Sequence, residues 1–294
     1  MDLSPQGRRL LERRYLLPGE TPDGLFTRVA GAVGGPEKSR EFFSLLSDLL
    51  FLPNSPTLMN AGTAGGQLSA CFVLPVEDTL EGIFRTLGHM ALIHRSGGGT
   101  GFSFSLLRPR GDAVNGTPGA ATGPVSFIRV YDAATAAVRQ GGRRRGANMA
   151  VLAASHPDIE EFVNCKQAGG LSNFNVSVGV DDRFLRCLAA GKAYNLTNPR
   201  DGSVWRSIDP ASLWHLIAAS AHASGEPGVL FLDEINRRST TPHLGPIVAT
   251  NPCGEQPLYP YESCNLGSVN LARCVRKDDL DEDLLAATVR SGIE

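Results

Sequence analysis

An α/β fold with mostly parallel strands, entered through a helical N-terminal region, is what this chain predicts. Two observations carry that expectation. From residue 67 onward, short apolar strand-like segments alternate with stretches of helical periodicity, the order that builds a parallel sheet flanked by helices. Over the first sixty residues, apolar side chains instead recur at helical spacing.

Ser4 and Pro5 suit the cap and first turn of a helix carrying Leu10, Leu11 and Leu16. Pro36 opens another, with Phe42, Phe43, Leu46, Leu49 and Leu50 on its apolar side. The turn-rich segment 53–63 closes this region, and a boundary near residue 66 separates it from a second unit over 67–294. Residues 69–76 then form a short apolar strand containing Cys71. Thr79 caps a helix with Ile83, Phe84, Leu87, Met90 and Ala91 at helical spacing. The glycine run 97–101 leads into a strand over 102–107, a helix covers 125–138, and 147–153 is a third strand. Pro157 starts another helix. Segment 171–180 alternates cleanly, with Phe174, Val176, Val178 and Val180 on one face and Asn173, Asn175 and Ser177 on the other. Asp209 and Pro210 begin a helix ending near Gly225, and 228–233 is a fifth strand. Leu280, Leu284, Leu285, Val289 and Ile293 mark a last amphipathic helix with no stop signal, so the sequence reads as cut off mid-helix.

Composition excludes several functions. With 42% hydrophobic and 20% charged residues the chain is ordinary globular material, and a net charge of -2 gives no general pull toward nucleic acid or an anionic membrane. No apolar run approaches the ~20 residues that span a bilayer, and no basic, then apolar leader opens the chain. The expected compartment is the cytoplasm, with neither membrane nor nucleic acid as partner. There, the six cysteines (71, 165, 187, 253, 264, 274), none in a CxxC pair, are either buried or chemically used.

The richest chemistry lies in Asn251-Pro-Cys-Gly-Glu-Gln-Pro-Leu and the following Ser263-Cys-Asn-Leu-Gly-Ser-Val-Asn-Leu. Pro252, Gly254 and Pro257 forbid a helix there. In an extended loop, Asn251, Cys253 and Glu255 point one way and present an amide, a thiol and a base together. A second thiol, Cys264, follows at loop-closing distance. Cys253, Cys264 and Cys274 are separated by ten and nine residues, gaps that disfavour structural zinc, and no metal site is expected. The glycine run 97–101 permits backbone approach to a phosphate but lacks the P-loop lysine, and a tight turn explains it equally well. Arg143, Arg144 and Arg145, flanked by glycines, suit either phosphate binding or a solvated turn. Cys165, Cys187 and Cys274 sit in apolar periodicity and read as packing residues.

With those residues in view, the chain resembles the catalytic subunit of ribonucleotide reductases, in particular the adenosylcobalamin-dependent (class II) branch. The resemblance runs from about residue 4 to the end, through Phe51-Leu-Pro-Asn-Ser-Pro-Thr-Leu, Ser69-Ala-Cys-Phe-Val, Ser96-Gly-Gly-Gly-Thr-Gly, Gly142-Arg-Arg-Arg-Gly-Ala-Asn-Met and the two tracts just quoted. It implies a ten-stranded α/β barrel, of which this chain holds only the first half-barrel and a finger loop at about 245–271. The second half-barrel, with its phosphate-binding loop and C-terminal cysteine pair, is missing, so the expectation is a fragment or one piece of a split enzyme, inactive alone.

The resemblance also implies roles. Cys253 becomes a thiyl radical, generated through adenosylcobalamin, and takes hydrogen from C3′ of the substrate ribose. Glu255 is the general base on the 3′-hydroxyl, Asn251 holds the ribose, and Cys71 and Cys264 deliver two electrons and end as a disulfide. Ser55 and Gly99 resemble substrate contacts. Asp78, Arg108, Arg143, Arg144 and Arg145 resemble an effector site for a dNTP or ATP near a homodimer interface. Reduction of the spent pair implies a thioredoxin-type reductant. The ten-residue spacing of Cys253 and Cys264 and the absence of an ATP cone resemble class II more than a class I large subunit. That class I subunit, and a non-catalytic dNTP-sensing half-barrel, are the alternative readings, with a ribonucleoside diphosphate or triphosphate as substrate.

Overall fold

The computed structural model describes residues 3–114, 119–138, 146–167 and 169–294. Helices α1 (Pro5–Arg14), α2 (Pro22–Ser47) and α3 (Ser55–Asn60) form the N-terminal region with a short strand β1 (Phe51–Pro53). Ser4, Thr21 and Asn54 cap the three helices through side-chain oxygens that accept backbone N–H groups, each with proline in the first turn. The helix expected to open at Pro36 is the second half of α2. Gly35, at φ 56, breaks the helical path, and Pro36 restarts it because its missing N–H is no loss in a first turn. Leu11, Leu25, Phe26, Val29 and Leu58 close a small core of their own.

Beyond it lie β2 (Cys71–Pro75), α4 (Leu80–Arg95), β3 (Gly99–Ser103), α5 (Pro124–Ala137), β4 (Asn148–Ala153), α6 (Ile159–Asn164) and β5 (Phe174–Val180). After α7 (Asp182–Ala190), an unexpected antiparallel hairpin of β6 (Tyr194–Thr197) and β7 (Val204–Ile208) precedes α8 (Pro210–Ser224) and β8 (Gly228–Phe231). Strands β2, β3, β4, β5 and β8 pair in that order, all parallel, as helical crossovers demand. Asp209 and Gly225 cap α8 at its two ends, the glycine in the left-handed conformation. The expected strand over 102–107 is shifted: β3 begins at Gly99, so its glycines are strand residues rather than a turn leading in.

Alternation assigns the two faces. Leu74, Phe102, Ala150, Leu152, Val176 and Val178 meet Ile83, Met90, Tyr131, Phe162 and Leu213 in the main core beneath the helices. Phe102 meets Tyr131 edge-on, with ring centroids 5.2 Å apart. On the opposite face, Val73, Met149 and Val151 pack against Ala249 and Leu258 from the chain's last third. The central strands are therefore buried on both sides, which is why β4 reads as a continuous apolar run. The last third holds α9 (Leu232–Arg237), β9 (Ala249–Thr250), β10 (Pro257–Leu258), β11 (Ser263–Cys264), β12 (Gly267–Val269) and α10 (Glu282–Ile293). Strand β11 joins β2 antiparallel as the sixth strand, and β12 pairs with β1, tying the helical region to the sheet.

His156 sits buried after β4, its Nε2 donating to Leu107 O at 2.8 Å while Nδ1 accepts from Asp158 N at 3.0 Å. Burial lowers its pKa, so the folded state binds fewer protons there than the unfolded chain. Its contribution is complete above the unfolded value and is lost as pH falls below it. Denaturant unfolding should accordingly show stability declining between about pH 7 and 5. A His156→Gln variant should show a shallower decline, and identical slopes would contradict this.

Candidate active site

Strands β9 and β10 form a narrow hairpin, with Thr250 opposite Pro257, and residues 251–256 make its tip. The tip is a tight turn, not the extended loop expected from its prolines. Asn251 N donates to Gln256 O, Gly254 N to Asn251 O, and Gln256 N to the Asn251 side-chain Oδ1. Gly254 takes φ 89, a conformation that glycine adopts without strain. Asn251, Cys253 and Glu255 therefore do not share one direction. Asn251 is fully buried, whereas Cys253 and Glu255 are exposed. The reason is that Asn251 spends its side chain closing the turn.

The other end of that amide points into the sheet. Asn251 Nδ2 lies 3.5 Å from the Cys71 sulfur. Cys71 opens β2, and Cys264 on β11 stands directly opposite it in the antiparallel register. Directly paired residues of such strands have Cα atoms about 4.5–5.5 Å apart, inside the window of roughly 4.4–6.8 Å that a disulfide requires. Both residues are thiols here. Burial pushes the Cys264 thiol up to about 12, helped by neighbouring Cys71 and then by Glu255. At neutral pH it keeps its hydrogen.

Cys71 is also level with Gly99 across the β2–β3 pair. A Cβ on Gly99 would sit 2.7 Å from Pro252 Cγ, and one on Gly101 would overlap the Thr250 carbonyl oxygen. The finger thus runs along β3 where Gly99 and Gly101 leave that face without side chains. On the other face of β3, Thr100 receives His94 Nε2 at 3.0 Å and donates to Asn148 Oδ1 at 2.7 Å. Asn148 in turn donates to Thr135 at 2.9 Å, all within buried surroundings that stiffen the strand.

Two residues that sequence reasoning missed hold the finger. Asn175 on β5 donates to Pro252 O at 2.8 Å. Asn236 on α9 clasps Ile247 by both backbone groups, donating to its carbonyl at 2.9 Å and accepting its N–H at 2.8 Å. The signal for Asn175 was available: it lies on the polar face of the alternating segment 171–180. Asn236 carried no comparable mark.

The remaining expected residues are more dispersed. Ser55, in the first turn of α3, pairs its hydroxyl with Tyr15 OH at 2.9 Å. Asp78 and Arg108 follow the carboxyl ends of β2 and β3, whereas Cys71 and Gly99 open those strands, so the two groups lie at opposite ends of one strand pair. They bind each other: Arg108 Nε donates to Asp78 Oδ2 at 2.9 Å, and the Arg108 backbone N–H to Oδ1 at 3.0 Å. Arg143, Arg144 and Arg145 lie outside the described residues. Cys165 and Cys274 are buried, and burial pushes the Cys165 thiol up to about 11. Among the described residues, no cluster of three or more His, Cys, Asp or Glu side chains is placed to hold a metal ion.

This arrangement has known counterparts. Residues 69–294 match the family model "Ribonucleotide reductase, barrel domain", and residues 1–66 match "Ribonucleotide reductase, all-alpha domain". The chain belongs to the ribonucleotide reductase large-subunit family. Its curled six-stranded sheet is the half-barrel expected of such a chain. A relative from Mycobacterium tuberculosis, named vitamin B12-dependent ribonucleoside-diphosphate reductase, is 50% identical over 97% of this chain and 44% of its own length. One of the same name from Thermoplasma acidophilum is 52% identical over 90% of this chain and 35% of itself. A vitamin B12-dependent ribonucleotide reductase from Streptomyces avermitilis is 34% identical over 78% and 26%. The chain thus spans less than half the length of these relatives.

The paired geometry has a direct consequence for thiol chemistry. Mild oxidation with diamide should link Cys71 to Cys264, as read by peptide mapping, while iodoacetamide at neutral pH should label exposed Cys253 well before Cys264. Cross-links that instead run mainly through Cys253 would contradict the pairing.

Proposed function

We propose that this chain carries the radical and reductant thiols of an enzyme that reduces ribonucleotides to 2′-deoxyribonucleotides, making precursors for DNA. The observation that carries the reading is the meeting of three thiol-bearing segments. Cys71 and Cys264 stand side by side, and the buried Asn251 amide joins them to the turn that exposes Cys253.

Each side chain then has a balanced task. The Cys253 thiol gives up its hydrogen atom, and the resulting thiyl removes hydrogen from C3′ of the ribose. Glu255 accepts the 3′-hydroxyl proton. The 2′-hydroxyl takes a proton from the thiol pair and leaves as water. The two electrons come from Cys71 and Cys264, whose sulfurs close a disulfide while the second hydrogen of the pair goes to C2′. Cys253 then returns hydrogen to C3′, and Glu255 returns its proton to the 3′ oxygen. The raised pKa of Cys264 suits this role, because it keeps the donor protonated until it is needed. Asn251 already uses both ends of its amide in the turn and on Cys71, so its part is to hold the thiols in register as well as to meet a ribose hydroxyl. Ser55 and Gly99 border the substrate, Gly99 through its level position beside Cys71.

Adenosylcobalamin is the proposed cofactor, supported by the names of the relatives and by an exposed thiol at the finger tip, which fits a hydrogen-atom acceptor arriving from outside. When bound, it would supply the acceptor for the hydrogen atom of the Cys253 thiol. A ribonucleoside diphosphate is the proposed substrate, after the same names. Asp78, Arg108 and the arginines 143–145 form the proposed site for a dNTP or ATP effector, with the protein acting as a homodimer in the cytoplasm. A thioredoxin-type protein reduces the spent disulfide.

In the full-length protein, turnover should require adenosylcobalamin, and Cys253→Ala should abolish it while leaving the Cys71–Cys264 disulfide able to form. Turnover supported by a metal-containing radical subunit without cobalamin would refute the cobalamin assignment. Residual turnover in Cys253→Ala would refute the radical assignment.

A further inference from the structure

The geometry points to Gly99, Gly101 and Asn175 as a positioning seat for the finger, fixing where Cys253 is presented. The inference rests on the radical role proposed for Cys253, but its structural content is separate from that role. Three observations carry it. First, the finger backbone lies against β3 where no side chain fits: a Cβ on Gly101 would overlap Thr250 O, and one on Gly99 would press on Pro252. Neither glycine has positive φ, so their lack of a side chain answers to this approach and not to a turn. Second, Asn175 stands two strands away on the same face and donates to the carbonyl of Pro252, the residue before Cys253. Third, the far end of the finger is held independently by Asn236 on Ile247, so a change in the seat moves the tip and not the whole hairpin.

Seen this way, the glycine run that begins at Gly97 is neither a phosphate loop nor a turn at its β3 end. It is a slot for another piece of backbone. Alanine at Gly101 meets a carbonyl, not a flexible side-chain end, so the tip must lift. Asn175 supplies a side-chain hydrogen bond to the Pro252 carbonyl. Aspartate there keeps the shape and removes the donor, setting one oxygen against another.

Hydrogen exchange on the intact chain tests this, read at the amides of Asn251, Gly254 and Gln256 against those of β4 and β5. Loss of one such hydrogen bond should raise exchange at the tip about tenfold in Asn175→Asp, with the sheet amides changed less than about twofold. Gly101→Ala should act on the same amides, whereas Gly31→Ala and Gly88→Ala, where an added Cβ meets nothing within 4 Å, should leave them unchanged. If Gly101→Ala loses the sheet as well, Asn175→Asp alone decides. Unchanged tip exchange in Asn175→Asp overturns the proposal. In full-length protein that turns over ribonucleotide, the same variant should lower kcat about tenfold with KM within about twofold, since a misplaced radical carrier affects reaction more than binding. Loosened tip amides with no change in kcat would keep the seat but remove Cys253 from the chemistry.

Discussion

The close approach of one backbone to another, at the contact between the finger and β3, is the constraint on which the rest of the structure depends. Thr250 and Pro252 reach the sheet only because Gly101 and Gly99 leave the space open. With the hairpin seated, Ala249 and Leu258 cover Val73, Met149 and Val151, and the central strands become buried on both faces. Burial of that second face is what permits β4 to be apolar from Met149 to Ala153. It also brings the buried Asn251 amide to the Cys71 sulfur.

Register supplies the second condition. Side chains alternate along a strand, so a slip of one residue between β11 and β2 would send Cys264 to the far face and separate it from Cys71. Several contacts guard against that slip: Val73 N donates to Glu262 O, Ala70 N to Cys264 O, and Tyr261 N to Val73 O. The pairing of β12 with β1 then returns the chain to the helical region. A two-residue strand such as β11 has little cohesion of its own. These flanking attachments hold the thiol pair in place.

Polar groups around the site divide into those exposed at the surface and those consumed by structure. Cys253 and Glu255 stand exposed at the tip. Asn251, Asn175 and Asn236 are spent on backbone groups or a thiol, and Thr100 is hydrogen-bonded to both His94 and Asn148 under β3. Buried polar groups cost too much to leave unpaired, so this framework is rigid by necessity. Asp78 and Arg108, likewise satisfied by each other, sit at the other end of the same strands.

Much of this was legible in the chain because it is written locally. Helix caps at Ser4, Thr79 and Asp209, the alternation of 171–180 and the five parallel strands all follow from short-range periodicity and turn chemistry. The thiols and their neighbours also stood out by residue type and by resemblance. What the sequence could not decide was direction and contact. Asn251, Cys253 and Glu255 look equivalent by spacing, yet a side chain that closes its own turn buries the first and leaves the others outside. The glycines of β3 resemble a loop, because nothing nearby in sequence shows that Thr250 will lie against them. Asn236 is ordinary until Ile247 folds back onto it. The chain by itself determined most of the helices, the five parallel strands and which segments carry thiol, amide and carboxylate groups. Only the tertiary structure decided which of them meet, since each meeting joins segments far apart in sequence through a fixed register.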